Sequence, residues 1–192
     1  MIYLLGAIAL LLLIIFGRSR FRIEPPEVVA GKMGEASAAN AVASILTNDD
    51  LMFTNVEVSY GDMETELDIV ILNQNGVFII EVKNYNGRLR GSEDDYEWEK
   101  YHTSRGGNTY VKTVKNPIRQ VKRQVYILAE YLRSFGIRVW VEGYVFFLQT
   151  DSPVRSDLVL RNLREIDLAV HRPQKQRLSE SAIRDIAEKL SA

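Results

Sequence analysis

The sequence predicts an α/β domain preceded by one N-terminal transmembrane helix, and three observations carry that expectation. Residues 66–83 hold two apolar runs of strand length joined by Asn73-Gln74-Asn75-Gly76, a strong hairpin turn. Asn116-Pro117 opens a stretch whose apolar residues recur at helical spacing as far as Gly136. Residues 1–17 are rich in leucine and isoleucine and carry no charged side chain. The chain has 192 residues and a net charge of −1, so total charge points to neither an acidic nor a basic partner. With 46% hydrophobic residues it has enough apolar side chains for one core. The absence of cysteine excludes disulfides, thiolate chemistry and Cys-ligated zinc. His102 and His171 are too few and too distant in sequence to suggest a histidine-based metal site.

Taken in order, residues 1–17 read as a membrane anchor. At about 1.5 Å per residue they reach roughly 25 Å, short of a hydrocarbon core of about 30 Å. Snorkelling of Arg18, Arg20 and Arg22 absorbs that mismatch. No basic region precedes the apolar run and no small-residue cleavage site follows it, which argues against a cleaved signal peptide. The positive-inside rule then predicts a single-pass protein of the plasma (inner) membrane with its domain on the cytoplasmic side. Residues 18–27, with Pro25-Pro26, read as a stiff basic linker, and the domain is expected over 28–192.

Residues 28–47 are expected to be helical in their later part, with Glu35, Ala38, Ala39, Val42 and Leu46 on one core-facing stripe. Residues 51–60 alternate as a strand does. Beyond Lys83, glycines and acidic residues separate short strands near 88–90, 96–101 and 109–114, with a turn at 104–108. The helix opened by Asn116 turns Ile118, Val121, Val125, Leu128 and Leu132 inward, with Gln120, Gln124, Ile127 and Tyr131 flanking. Basic residues crowd this region, with Glu130 the lone acid between 111 and 138. That density suits either a solvated helix face or phosphate attraction, in which case Lys115, Arg119, Lys122 and Arg123 are the nucleic-acid-binding residues. Residues 137–149 read as one or two buried strands and 157–170 as a short strand with a turn. Residues 179–190 read as a capped helix with Ile183, Ile186, Ala187 and Leu190 inward.

The charges inside the hairpin carry the chemistry. Strand alternation puts Asp68, Val70 and Leu72 on one face of the first run, and Val77, Ile79, Glu81 and Lys83 on one face of the second. A two-residue loop at Asn75-Gly76 sets Asp68 opposite Lys83, and a four-residue loop from Asn73 sets it opposite Glu81. A three-residue loop would turn it to the other face. Opposed carboxylates repel unless a cation or a proton lies between them, and magnesium suits the arrangement. The alternative is an ionic cluster that Lys83 neutralises. The surrounding apolar residues make such charges expensive to keep for structure alone.

The order Gly34-Glu35, Glu66-Leu67-Asp68, Gly76 through Asn84 with Glu81-Val82-Lys83 inside it, Gly87, Gly91, Trp98, and Asn116-Pro117 with Gln120 resembles the NERD (nuclease-related) domain of the PD-(D/E)xK phosphodiesterase superfamily. The match runs over about residues 28–132 and rests on the combination of motifs. The resemblance implies a restriction-endonuclease-like fold, a mixed central sheet flanked by helices. It implies that Asp68 and Glu81, with the Val82 carbonyl, hold Mg²⁺ or Mn²⁺, that Glu35 completes or extends the metal site, and that Lys83 positions or activates the attacking water. Gln120 falls where relatives place a helical glutamine near the active site. A Gln-x-x-x-Tyr pattern of some branches is not met, because position 124 is Gln. The expected activity is metal-dependent hydrolysis of nucleic acid, DNA ahead of RNA; the oligomeric state is left open, with pairing into a homodimer one way to cut both strands of a duplex. The alternative is an inactive nuclease-fold module that holds nucleic acid or a protein partner at the membrane.

Overall fold

The computed structural model describes residues 26–191 apart from 105, 150, 175 and 176. Helix α1 spans Pro26–Ala43, followed by strands β1 (Leu51–Tyr60), β2 (Met63–Asn73) and β3 (Gly76–Lys83). Then come three short strands, β4 (Arg88–Arg90), β5 (Glu97–Thr103) and β6 (Thr109–Lys115), and the long helix α2 (Pro117–Ser134). Strands β7 (Val141–Phe147) and β8 (Val159–Leu160) and helices α3 (Leu163–His171) and α4 (Glu180–Leu190) complete the order. Proline is at home in the first turn of α1, where its missing N–H has no helical partner to lose. The helix therefore starts within the stretch read as linker.

The central sheet is mixed, in the order β1-β2-β3-β7-β8. β1, β2 and β3 pair antiparallel, whereas β3-β7 and β7-β8 pair in parallel. A parallel pair needs a crossover, and here the crossover from β3 to β7 carries both the β4-β5-β6 sheet and α2. One face of the central sheet, through Val70, Leu72, Val77 and Ile79, packs with α2 and α4. The other, through Ile69, Ile71, Phe78 and Ile80, packs with α1 and α3. β3 is buried on both faces, which is why its sequence is an almost continuous apolar run.

Most other elements lie where the sequence places them, with two further differences. Residues 163–171 form a helix rather than a turn. Asn162 caps it, its Oδ1 accepting the Glu165 N–H at 3.0 Å. In α2, Gln124 and Ile127 are fully buried and stand in the core stripe rather than beside it.

The expected inner-membrane location is corrected. No helix among the described residues is long and apolar enough to cross a membrane. The apolar stretch 1–17, on which that expectation rested, lies outside the described residues.

At the hairpin end of the sheet, His171 bridges two carboxylates. Its Nε2 lies 2.9 Å from Asp50 Oδ2 and its Nδ1 2.6 Å from Asp167 Oδ1. Burial alone would lower the imidazole, but the hydrogen bonds and charges of Asp50 and Asp167 outweigh it and raise it. Burial would likewise raise Asp50, but hydrogen bonds from His171, Thr47 and Asn73 hold it below the usual carboxylate range. The His171 contribution is therefore complete below about pH 6.5 and is lost as pH rises through the raised value. The Asp50 contribution is lost only as pH falls through its depressed one. His171→Gln should cost roughly 1 kcal/mol at pH 6 and progressively less above pH 7, read from urea midpoints of both proteins across that range.

Candidate active site

The register of β2 on β3 runs from Asn73↔Gly76 to Ile69↔Ile80, so Gln74-Asn75 form the tip. Carried one rung further, that register would set Asp68 level with Glu81, as the longer loop leads one to expect, and the Glu81 charge does act on Asp68. The β2-β3 ladder stops at that point. β2 nevertheless continues along β1 to Met63, and β3 continues along β7 to Lys83. The sheet parts there: Glu81 turns to the face that α2 covers, and Asp68 lines a hollow with Lys32 and Glu35 of α1.

Hydrogen bonds hold the fork together. The Val82 N–H donates to Asp68 Oδ2 at 2.7 Å, replacing a ladder bond with a side-chain one. Glu81 is 1% exposed and accepts from three donors. Lys83 Nζ and Gln120 Nε2, the latter at 2.7 Å, share Oε1, and Gln124 Nε2 reaches Oε2 at 2.5 Å. Gln124 also donates to the Glu66 carbonyl at 3.0 Å. One helix turn of α2 thus presents two amides to one buried carboxylate, and both helix and carboxylate are fixed. Sequence reasoning found Gln120 but gave Gln124 no part in the site. The available signal was its spacing of four residues from Gln120, next to an apolar stripe.

Glu35 reaches the fork from α1. A Cβ at Gly34 would lie 2.6 to 2.8 Å from side-chain atoms of Asn84, so the glycine lets α1 sit directly on the chain leaving β3. Asn84 Nδ2 in turn donates to the Ala30 carbonyl at 2.9 Å. Two hollows meet at Glu35. One of about 700 Å³ is lined by Lys32, Glu35, Thr54, Glu66 and Asp68, and one of about 520 Å³ by Glu35, Val82, Lys83, Tyr85, Lys100 and Lys112 among others. A further hollow of about 1210 Å³ lies along β4 and is lined by none of these carboxylates.

Negative charge exceeds positive in the fork. Burial, reinforced by the Glu81 charge, pushes Asp68 up to about 7, against the opposing pull of the Val82 N–H and Lys83. Burial also raises Glu35, helped by Glu66 and Glu81 and opposed by Lys83. For Lys83 burial acts downward, but Glu81 and Asp68 outweigh it and hold the amine above its ordinary value. It is an ammonium at neutral pH, a charge that suits electrostatic positioning.

The four residues expected to bind nucleic acid, Lys115, Arg119, Lys122 and Arg123, line neither of the hollows at Glu35. Arg119 stacks on Tyr96 with its Cζ 4.0 Å from the ring centroid, and Lys122 pairs with Glu93 at 2.9 Å. Arg123 donates to the Glu64 carbonyl at 3.1 Å, and Lys115 is exposed at the end of β6. Lys122 and Arg119 serve to fasten the 93–96 loop to the helix.

A family model described as the nuclease-related domain, NERD, matches residues 30–148. The chain belongs to the NERD family. The family falls in the PD-(D/E)xK-like superfamily, and its matched segment contains Glu35, Asp68, Glu81, Lys83, Gln120 and Gln124. The NERD chain is also 34% identical over 70 residues to an uncharacterized protein of Bacillus anthracis, a match covering 35% of this chain and 32% of that protein. It thus spans about a third of the length of that curated relative. A crystal structure of a protein of unknown function is similar over 81% of this chain and 65% of its own, at 12% identity and a TM-score of 0.35, a likeness too slight to bear on the fold.

Proposed function

We propose that this NERD protein is a divalent-metal-dependent nuclease that hydrolyses phosphodiester bonds of nucleic acid. The observation that carries it is the fork, where Asp68 takes the Val82 N–H between Glu81 and Lys83 and feels the Glu81 charge, with the Lys83 ammonium paired to Glu81. The donor set fits a hard cation. Every candidate ligand is an oxygen, and a proton stays on Asp68 near neutrality where a cation would relieve the same repulsion. Asp68, Glu81, Glu35 and the Val82 carbonyl would hold Mg²⁺ or Mn²⁺. Such an ion supplies a water of lowered pKa and offsets charge on the scissile phosphate. Lys83 then orients the phosphate or the water as a fixed positive charge. Gln120 and Gln124 keep Glu81 in one rotamer, so the carboxylate needs no reorganisation during the reaction.

One observation favours a second reading, a module that holds nucleic acid without cutting it. Both oxygens of Glu81 are already bonded, to Lys83, Gln120 and Gln124. Among the described residues, no three His, Asp or Glu side chains are gathered closely enough to hold an ion between them. Incubating the protein with end-labelled DNA and RNA in EDTA, Mg²⁺ and Mn²⁺ separates the readings. The nuclease cuts only with a divalent ion and fails as Asp68→Asn or Lys83→Met. Cutting in EDTA, or undiminished cutting by both variants, contradicts the site. Binding without cutting in any metal identifies the module.

A further inference from the structure

The β4-β5-β6 sheet has a face that the nuclease chemistry does not use. Its β5-β6 register pairs Trp98 with Val114, Lys100 with Lys112, and His102 with Tyr110, all on one side because these residues alternate along both strands. The first rung is anchored in the core. Trp98 is fully buried, its Nε1 donating to the Ser92 carbonyl at 2.7 Å and its ring stacked on Phe147 at 6.4 Å. The next two rungs leave the core and line the hollow that ends at Glu35 and Lys83. Two lysines directly opposite on neighbouring strands repel and weaken the pair. The sheet keeps them, with Lys100 Nζ held 5.5 Å from the centre of the Tyr85 ring, which itself lies next to Lys83 in the hollow. On the outermost rung the His102 and Tyr110 rings meet at 5.0 Å, and Tyr110 is 44% exposed.

We propose that this face is a track for single-stranded nucleic acid, with phosphates on Lys100 and Lys112 and a base stacked on the His102-Tyr110 rung. Successive rungs on one face are roughly 6.8 Å apart, a spacing an extended strand can follow one nucleotide at a time. Cations flanked by exposed aromatic rings are the usual means of holding unpaired bases without reading their sequence. A duplex hides its base faces and leaves the aromatic rung without a partner. The strand so held runs toward Lys83 and the carboxylate fork. The inference rests on the nuclease reading for its direction but not for its contacts. It also places the phosphate contacts in the hollow, whose lining contains neither Lys122 nor Arg123.

The test is fluorescence anisotropy of the full chain with a labelled 15-nucleotide poly-dT, its RNA counterpart and a 15-base-pair duplex, in EDTA so that no cutting intervenes. Circular dichroism of each variant, and the charge-preserving pair Lys100→Arg/Lys112→Arg, guard against misfolding. The track predicts that Lys100→Ala/Lys112→Ala weakens single-strand binding at least ~10-fold and lowers the log–log salt slope by about 1.4. The arginine pair should restore most of the affinity, and Tyr110→Ala should lose ~5-fold or more. Lys122→Ala/Arg123→Ala should change little. Unchanged binding by folded Lys100→Ala/Lys112→Ala, or a duplex bound as tightly as the single strand, overturns the track. Cleavage measured separately in Mn²⁺ tells the two readings apart. A wild-type protein that binds through the track but never cuts leaves the track and removes the nuclease, whereas one that cuts while these variants bind normally does the opposite.

Discussion

Asp68→Asn is expected to stabilise the protein at pH 8 while abolishing cleavage. The folded protein holds a proton on Asp68 up to about pH 7, whereas the unfolded chain releases it near its ordinary value of about 3.8. A carboxyl raised in this way destabilises the fold as pH climbs from the lower value to the upper one, and the penalty is full above it. At about 1.4 kcal/mol per unit the ceiling is on the order of 4 kcal/mol, which partial solvent exposure reduces to roughly 1–3. Asparagine keeps the shape and an oxygen for the Val82 N–H but carries no charge into the fork. Its advantage should be small at pH 5 and grow to pH 8 in urea titrations. Removing a proposed metal ligand should meanwhile slow cleavage on the order of 10³-fold, since a bound cation contributes several kcal/mol to the transition state. Equal or lower stability at pH 8 would mean that the two carboxylates do not repel.

Glu81→Ala should behave in the opposite way and unfold the domain readily. The substitution strips Lys83 Nζ, Gln120 Nε2 and Gln124 Nε2 of a shared acceptor in the best-buried part of the site. Breaking a buried ion pair by removing one partner costs about 3–5 kcal/mol, a large share of a small domain's stability. Glu81→Gln is no milder in kind, because its new N–H₂ points at groups that are themselves donors. A fall of the urea midpoint equivalent to less than about 1 kcal/mol would show that the three donors find other acceptors. The contrast also says which variant tests catalysis cleanly. Loss of activity in Glu81→Ala is confounded by unfolding, and loss in Asp68→Asn is not.

How much of this could be read in the sequence differs from element to element. Asp68, Glu81 and Lys83 were legible as charges interrupting two apolar strand runs, but the face of Asp68 was not, because Leu67 and Val70 both enter the core on the α2 side and alternation breaks between them. The Asn-Gly step points to itself as the turn, yet the tip is Gln74-Asn75. The reason is tertiary. Asn73 donates to Asp50 at 2.7 Å and to the Val170 carbonyl at 3.1 Å, contacts from far along the chain that pin the register, while its Oδ1 accepts the Asn75 N–H within the turn itself. The helix at 163–171 was hidden by its brevity, although Asn162 and Glu165 are cap residues in plain view. The cationic residues were least legible. Composition shows that they are many, but only the fold shows that Lys122 is committed to Glu93 while Lys100 and Lys112 share a rung beside the fork.

The most direct measurement is the melting temperature at pH 8 of wild-type and Asp68→Asn protein, each with EDTA and with millimolar Mn²⁺. If a divalent ion relieves the repulsion that the ionised Asp68 suffers at this pH, Mn²⁺ raises the wild-type melting point by several degrees and leaves the variant where it was. An equal response of the two proteins, or none in the wild type, would contradict a metal site at the fork.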